Sequence, residues 1–168
     1  MLVGIAAGGT TPYVWGALQY AQSIHAATAM ICCVQMAPPL PVAVDHMIRL
    51  LVGPEVLTGS TRLKAGTATK LVLNMITTTV MVQRGKAWGN LMVDVKATNA
   101  KLRDRATRIL TKQCALDRKA AFELLDQAQG QVKVALVMHK LELSYEQALE
   151  QLRNSEGHLR PLLGDPVC

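Results

Sequence analysis

Two short stretches of the chain gather hydroxyls, glycines and cations at spacings that suit a phosphate. The denser one runs over residues 52–70 and places hydroxyls at Thr58, Ser60, Thr61, Thr67 and Thr69, with cations at Arg62, Lys64 and Lys70. A helix start in such a stretch presents free backbone N–H groups and the positive end of the helix dipole, so an anion can sit there. It is not a P-loop. The frame Gly-x4-Gly-Lys-Ser/Thr fails, since Lys64 stands five residues after Gly59 and Leu71 five after Gly66. Capping of the helix by Thr58 or Ser60, with the cations facing solvent, accounts for the same residues equally well. The second stretch, Gly8-Gly9-Thr10-Thr11, also stands between an apolar run and a helix. Parallel α/β sheets collect ligands at the carboxyl ends of their strands, so two loops of this kind point to a phosphorylated small molecule. Glu55 is the one carboxylate in these motifs, and it reads as a ligand or structural contact rather than a proton donor.

The elements that must hold these loops follow from hydrophobic patterning. Residues 1–7 form a short apolar run, and Pro12 is placed for the first turn of a helix extending to about residue 24. Residues 28–34 and 46–52 read as further strands, and the first of these is continuously apolar, as buried parallel strands are. A Pro-rich loop at 38–41 separates them, and a long helix is expected over 63–84. This is half of a doubly wound α/β sheet. A chain that opens on a core strand looks truncated. Beyond residue 95 basic residues crowd onto one helix, with Leu102, Ala106, Ile109 and Leu110 at helical spacing, which predicts a surface helix with a solvated basic face. Three short helices follow, capped by Asp117 and Ser144, with Gly130 as a break and a Ser144/Gln147 capping box. They predict a small bundle, marginal alone and docked on the rest.

Composition narrows the classes. In 168 residues, half are hydrophobic and 18% charged, which excludes intrinsic disorder. Aromatics make up only 4%, too few for the stacking platforms of single-strand nucleic-acid modules, so no nucleic-acid partner is expected. The net charge of +6 favours anionic ligands. Four cysteines stand at 32, 33, 114 and 168; Cys32 and Cys33 are adjacent, which cannot make a C-x-x-C metal clip, and within their apolar run they read as unreactive core thiols, so no metal is expected. No signal peptide or spanning apolar run is visible, so a cytoplasmic protein without membrane contact is expected.

The run Gly53-Pro-Glu-Val-Leu-Thr-Gly-Ser-Thr-Arg-Leu-Lys-Ala-Gly-Thr-Ala-Thr-Lys70 closely resembles the signature of N-acetylmuramic acid 6-phosphate etherases. Glucokinase regulatory protein, a relative of that family, carries a looser version. Ile5-Ala-Ala-Gly-Gly-Thr-Thr-Pro-Tyr13 resembles the family's sugar-binding loop, and Gly89-Asn-Leu-Met-Val-Asp-Val-Lys-Ala-Thr-Asn99 the stretch after its long helix. The C-terminal helices, including Val132-Lys-Val-Ala-Leu-Val-Met-His139, are similar to its ubiquitin-associated-type lid. The resemblance spans essentially the whole chain. It implies the C-terminal part of a sugar isomerase (SIS) phosphosugar-binding domain over residues 1–94, then a connecting helix and small helical bundle over 95–168. It further implies a homodimer, no cofactor, and substrate-binding residues Gly8, Gly9, Thr10, Thr11, Glu55, Thr58, Gly59, Ser60, Thr61 and Lys64. The implied reaction cleaves the lactyl ether of N-acetylmuramic acid 6-phosphate to N-acetylglucosamine 6-phosphate and D-lactate, in cell-wall recycling. It runs by elimination beside a carbonyl and then water addition. Many members have Ser at the position of Gly8 and Arg at that of Thr10. The family's catalytic glutamates stand in an N-terminal part that this chain is expected to lack, so no catalytic residue is assigned and the chain alone is expected to be inactive. The alternative implied by the same resemblance is a non-catalytic phosphosugar-sensing regulator.

Overall fold

The computed structural model describes residues 1–35 and 40–167. Pro38 and Pro39 of the expected Pro-rich loop, and Cys168, lie outside the described residues. The fold is mixed α/β and divides into two compact units, Met1–Ile76 and Thr77–Cys168.

In the first unit, β1 (Leu2–Ile5), β2 (Thr28–Cys32) and β3 (His46–Arg49) form a parallel sheet in that order. Every residue of β2 is buried, which is why its sequence is apolar without alternation. The helix α1 (Pro12–Ser23) returns the chain from β1 to β2 and lies close against β1. Gly4 permits that approach: a Cβ there would stand 2.7 Å from Val14 Cγ1 and 3.0 Å from Leu18 Cδ1. Trp15, Leu18, Met30 and Cys32 fill the core, and each fully buried large side chain contributes about 2 kcal/mol. The starts of β2 and β3 are joined by side-chain bonds. Thr28 donates its backbone N–H and its hydroxyl to Asp45 Oδ2 at 2.7 and 2.9 Å, and the Asp45 N–H donates back to Thr28 Oγ1 at 3.3 Å.

The long helix α2 (Lys64–Gln83) matches the expected one within a residue at each end, but it packs differently from a core helix. Among its residues only Ala65 is buried, while Leu71, Met75, Ile76, Val80, Met81 and Val82 are exposed. Its C-terminus is a Schellman motif. The Lys86 N–H donates to Met81 O and the Gly85 N–H to Val82 O, both at 3.0 Å, with Gly85 in the left-handed region at φ +66°.

The second unit holds a short antiparallel hairpin, β4 (Ala87–Trp88) with β5 (Leu91–Met92), that patterning over so few residues did not reveal. Helices α3 (Ala100–Cys114), α4 (Arg118–Gln127), α5 (Val132–Leu141), α6 (Tyr145–Asn154) and the brief α7 (Arg160–Leu163) follow. The expected caps are present. Asp117 accepts the Ala120 N–H, and Ser144 and Gln147 bond reciprocally. The core is larger than a bundle of three short helices. α5 contributes five buried residues; α3 adds Ala106, Ile109 and Leu110, and the extended segment 93–97 adds Val93, Val95 and Ala97 on alternate positions. The basic helix therefore starts at Ala100 and not near residue 95, because residues 93–97 alternate into the core and Lys96 bridges Gln131 as a strand would. Trp88, also buried, donates its indole N–H to Gly164 O at 2.7 Å.

Gly85 is sterically confined by backbone of the second unit. A Cβ there would stand 2.8 Å from the carbonyl oxygen of Gly157 and would also require a left-handed L-residue. Gly85→Ala is expected to lower stability by about 2 kcal/mol, read as a reduced urea midpoint at unchanged slope.

Candidate functional site

Parallel pairing sends the exits of β1, β2 and β3 to one edge of the sheet, and the loops singled out by residue type leave from that edge. After β1 the chain turns tightly, with the Gly9 N–H donating to Ala6 O at 2.9 Å and Gly9 at φ +70°. The indole N–H of Trp15 donates to Gly9 O at 2.7 Å, so the first turns of α1 hold the loop from within the core. Thr11 is the N-cap of α1, and Pro12 follows in its first turn. Gly8, Thr10 and Thr11 are exposed, and Gly9 is buried.

After β3 the chain runs from Gly53 to the start of α2. The Ser60 N–H donates to Leu57 O at 3.0 Å across a turn in which Gly59 adopts φ +84°. That turn exposes Thr58 and Gly59, with Thr61 exposed beside them. Among the described residues the hydroxyls of Thr10, Thr11, Thr58, Ser60 and Thr61 have no hydrogen-bond partner. The two loops share the sheet edge without a hydrogen bond between them. The ammonium of exposed Lys64 stands over Gly53, 3.8 Å from where a Cβ would be.

Glu55 has a definite structural role. Its carboxylate accepts the backbone N–H of Lys64 at 2.9 Å and of Ala65 at 3.1 Å, so it caps α2 across the loop. Neither Thr58 nor Ser60 supplies that cap. The first-turn amides, above all that of Lys64, hold the Glu55 carboxyl below the ordinary range for glutamate. A carboxylate engaged in this way is a poor general acid or base.

Cys33 was not legible from residue type. Its N–H donates to Ala7 O at 2.8 Å, which ties it to the loop after β1. Its half-buried Sγ lies 3.9 Å from both Ala65 O and Thr69 Oγ1, in the opening turns of α2. It therefore stands between the two phosphate-type loops. A Cys in an apolar strand end carries no sequence signal for this; only the parallel register places it. Among the described residues no group of three His, Cys, Asp or Glu side chains gathers as a metal cluster.

The chain is 57% identical over 160 residues to the N-acetylmuramic acid 6-phosphate etherase of Parasynechococcus marenigrum (strain WH8102), a match that takes in 95% of this chain and 50% of the relative. It is 58% identical over 139 residues to the etherase of Gloeobacter violaceus, covering 83% and 45%, and 50% identical over 165 residues to that of Pectobacterium atrosepticum, covering 97% and 54%. The chain belongs to the N-acetylmuramic acid 6-phosphate etherase family. It matches the C-terminal part of these proteins and spans about half the length of the curated relatives. No protein-family model matches it.

For the etherase-family loop after β3, the cap by Glu55 has a pH signature. Its folded pKa is depressed, so the anchoring it provides is present above the unfolded value and is lost as pH falls through the folded one. The amide resonances of Lys64 and Ala65 are expected to titrate together with a midpoint below 4.5, the ordinary value for glutamate. Glu55→Ala should abolish that titration. A midpoint above 4.5 would contradict the cap.

Proposed function

We propose that this chain forms the phosphosugar-binding half of an etherase that cleaves the lactyl ether of N-acetylmuramic acid 6-phosphate, giving N-acetylglucosamine 6-phosphate and D-lactate. The observation that carries this reading is the set of five unpartnered hydroxyls, Thr10, Thr11, Thr58, Ser60 and Thr61, on two loops at one sheet edge. Hydroxyls and backbone N–H groups without internal partners are what a phosphate or sugar ring requires of its host. The substrate-binding set is Gly8, Gly9, Thr10, Thr11, Glu55, Thr58, Gly59, Ser60, Thr61 and Lys64. Within it Glu55 shapes the loop from behind, and Lys64 supplies the positive charge. Where family members often carry Ser and Arg, the paired hydroxyls of Thr10 and Thr11 stand beside Gly8.

On this reading residues 1–94 are part of a SIS-type domain, and residues 95–168 are a connecting helix with a ubiquitin-associated-like bundle. The reaction is an elimination beside a carbonyl followed by addition of water, and it requires one group to take a proton and another to give one. Since Glu55 is committed to the α2 amides, those groups come from the part of the family's length that this chain does not span. A phosphosugar-sensing regulator is the second reading. It is favoured by the same commitment of Glu55, which leaves the two loops able to bind a ligand without a free carboxylate of their own.

The exposed stripe Leu71, Met75, Ile76 and Val80 on α2 supports a homodimer, since a long apolar stripe in water costs about 25 cal/mol per Å². Light scattering at micromolar concentration should give twice the monomer mass, and Met75→Lys should return it to monomer. A clean monomer before substitution would rule the dimer out.

The binding test uses the isotopically labelled chain and N-acetylglucosamine 6-phosphate. Amide resonances in both 8–11 and 58–61 should shift along one saturation curve, and Ser60→Ala combined with Thr61→Val should weaken binding about tenfold. Shifts confined to one loop would contradict a shared site.

A further inference from the structure

We propose that the groove along α3 docks an acidic amphipathic helix of a partner protein. The groove lies wholly within the second unit, well away in sequence from the phosphosugar loops, and has a volume of about 730 Å³. One wall is a stripe of cations, Lys101, Arg105, Arg108 and Lys112, spaced i, i+4, i+7 and i+11 on one face of α3. Those positions span about 16 Å, or three helical turns.

The cations of α3 are sorted by flank. Arg103, on the other flank, pairs with Asp126 and lies 4.5 Å over the ring of Phe122. Along the groove, Arg108 shares the carboxylate of Asp104 with Arg118, at 2.6 and 2.5 Å. Lys101, Arg105 and Lys112 have no carboxylate partner among the described residues. Three unneutralised charges in a row repel one another, and a complementary row of carboxylates relieves that repulsion.

The floor selects among polyanions. Leu91, Leu102 and Ile109 line it, and no aromatic side chain does. A single-stranded nucleic acid needs ring faces on which to stack, and the groove offers none. An amphipathic helix with carboxylates at i, i+4, i+7 and i+11, flanked by leucines, meets both the charged wall and the apolar floor. Charge complementarity and the mixed lining thus favour one occupant.

The experiment is fluorescence anisotropy of the full chain with a labelled synthetic helical peptide carrying glutamates at that spacing and leucines alongside. A control peptide has the same composition with its glutamates distributed around the helix. The expected result is saturable binding that weakens with salt and is at least tenfold tighter for the patterned peptide. Arg105→Ala together with Lys112→Ala should weaken it about tenfold, while Lys119→Ala, on α4 outside the groove, should not change it. Equal binding of the control peptide, tighter binding of an oligothymidylate, or unchanged affinity in the double variant would each overturn the proposal. So would absence of binding by the patterned peptide.

Discussion

Parallel pairing of β1, β2 and β3 is the constraint on which the functional arrangement depends. A parallel ladder has a direction, so all three strands deliver their exits to one edge, and the chain must return across the sheet between them. The buried strand β2 makes this possible in so small a sheet: its apolar side chains are covered, and the Thr28–Asp45 bonds fix where β3 begins beside it. Once that register is set, the Gly9 turn, Cys33 and the loop bearing Thr58–Thr61 have little choice of position. Cys33 reports the consequence, bonded by its N–H to one loop's root and touching the first turns of the helix that follows the other.

The start of α2 is the place where local chemistry and function compete. A helix N-terminus attracts an anion, and here the protein supplies its own, the Glu55 carboxylate. A phosphate therefore does not find the Lys64 and Ala65 amides free. The outer hydroxyls of the same loop stay exposed, held in place because Glu55 fixes the loop's base. The cap and the hydroxyl-bearing turn are thus consecutive layers of one structure, and removing the inner layer would disorder the outer one.

How much of this was legible in the sequence varies with the range of the interactions. Apolar runs of sufficient length marked all three parallel strands, and capping residues at Asp117 and Ser144 marked helices whose ends the structure reproduces, because those signals are local. Residues 95–97 read as the start of the basic helix because Lys96 suggests continuity, whereas Val93, Val95 and Ala97 alternate into the core with the period of a strand. The hairpin β4–β5 offers only two residues per strand, too few for any period to register. Within the candidate site, residue type pointed to the two loops, but the caps it offered as one of two readings were Thr58 or Ser60. The cap comes from Glu55, nine residues before Lys64, and such a reach across a loop has no sequence signature. Trp15 and Cys33 were likewise invisible, since their roles exist only once the sheet is assembled.

The helix α2 shows the same logic at a larger scale. Its sequence is that of a core helix, yet it buries only Ala65 and leaves Met75 60% exposed. Helical propensity does not explain a run so rich in Leu, Val, Ile and Met, since Lys and Glu serve as well at exposed positions. Such residues are retained where they meet another apolar surface. The chain spans about half the length of its curated relatives, and α2 is the longest helix among the described residues. Its apolar stripe is a face left without cover among the described residues. The sheet edge places its loop hydroxyls without any covering partner, because the parallel register does that. Placement of the loop hydroxyls and burial of α2 are in this sense separable: one is a property of the strand exits, the other of a face without cover among the described residues.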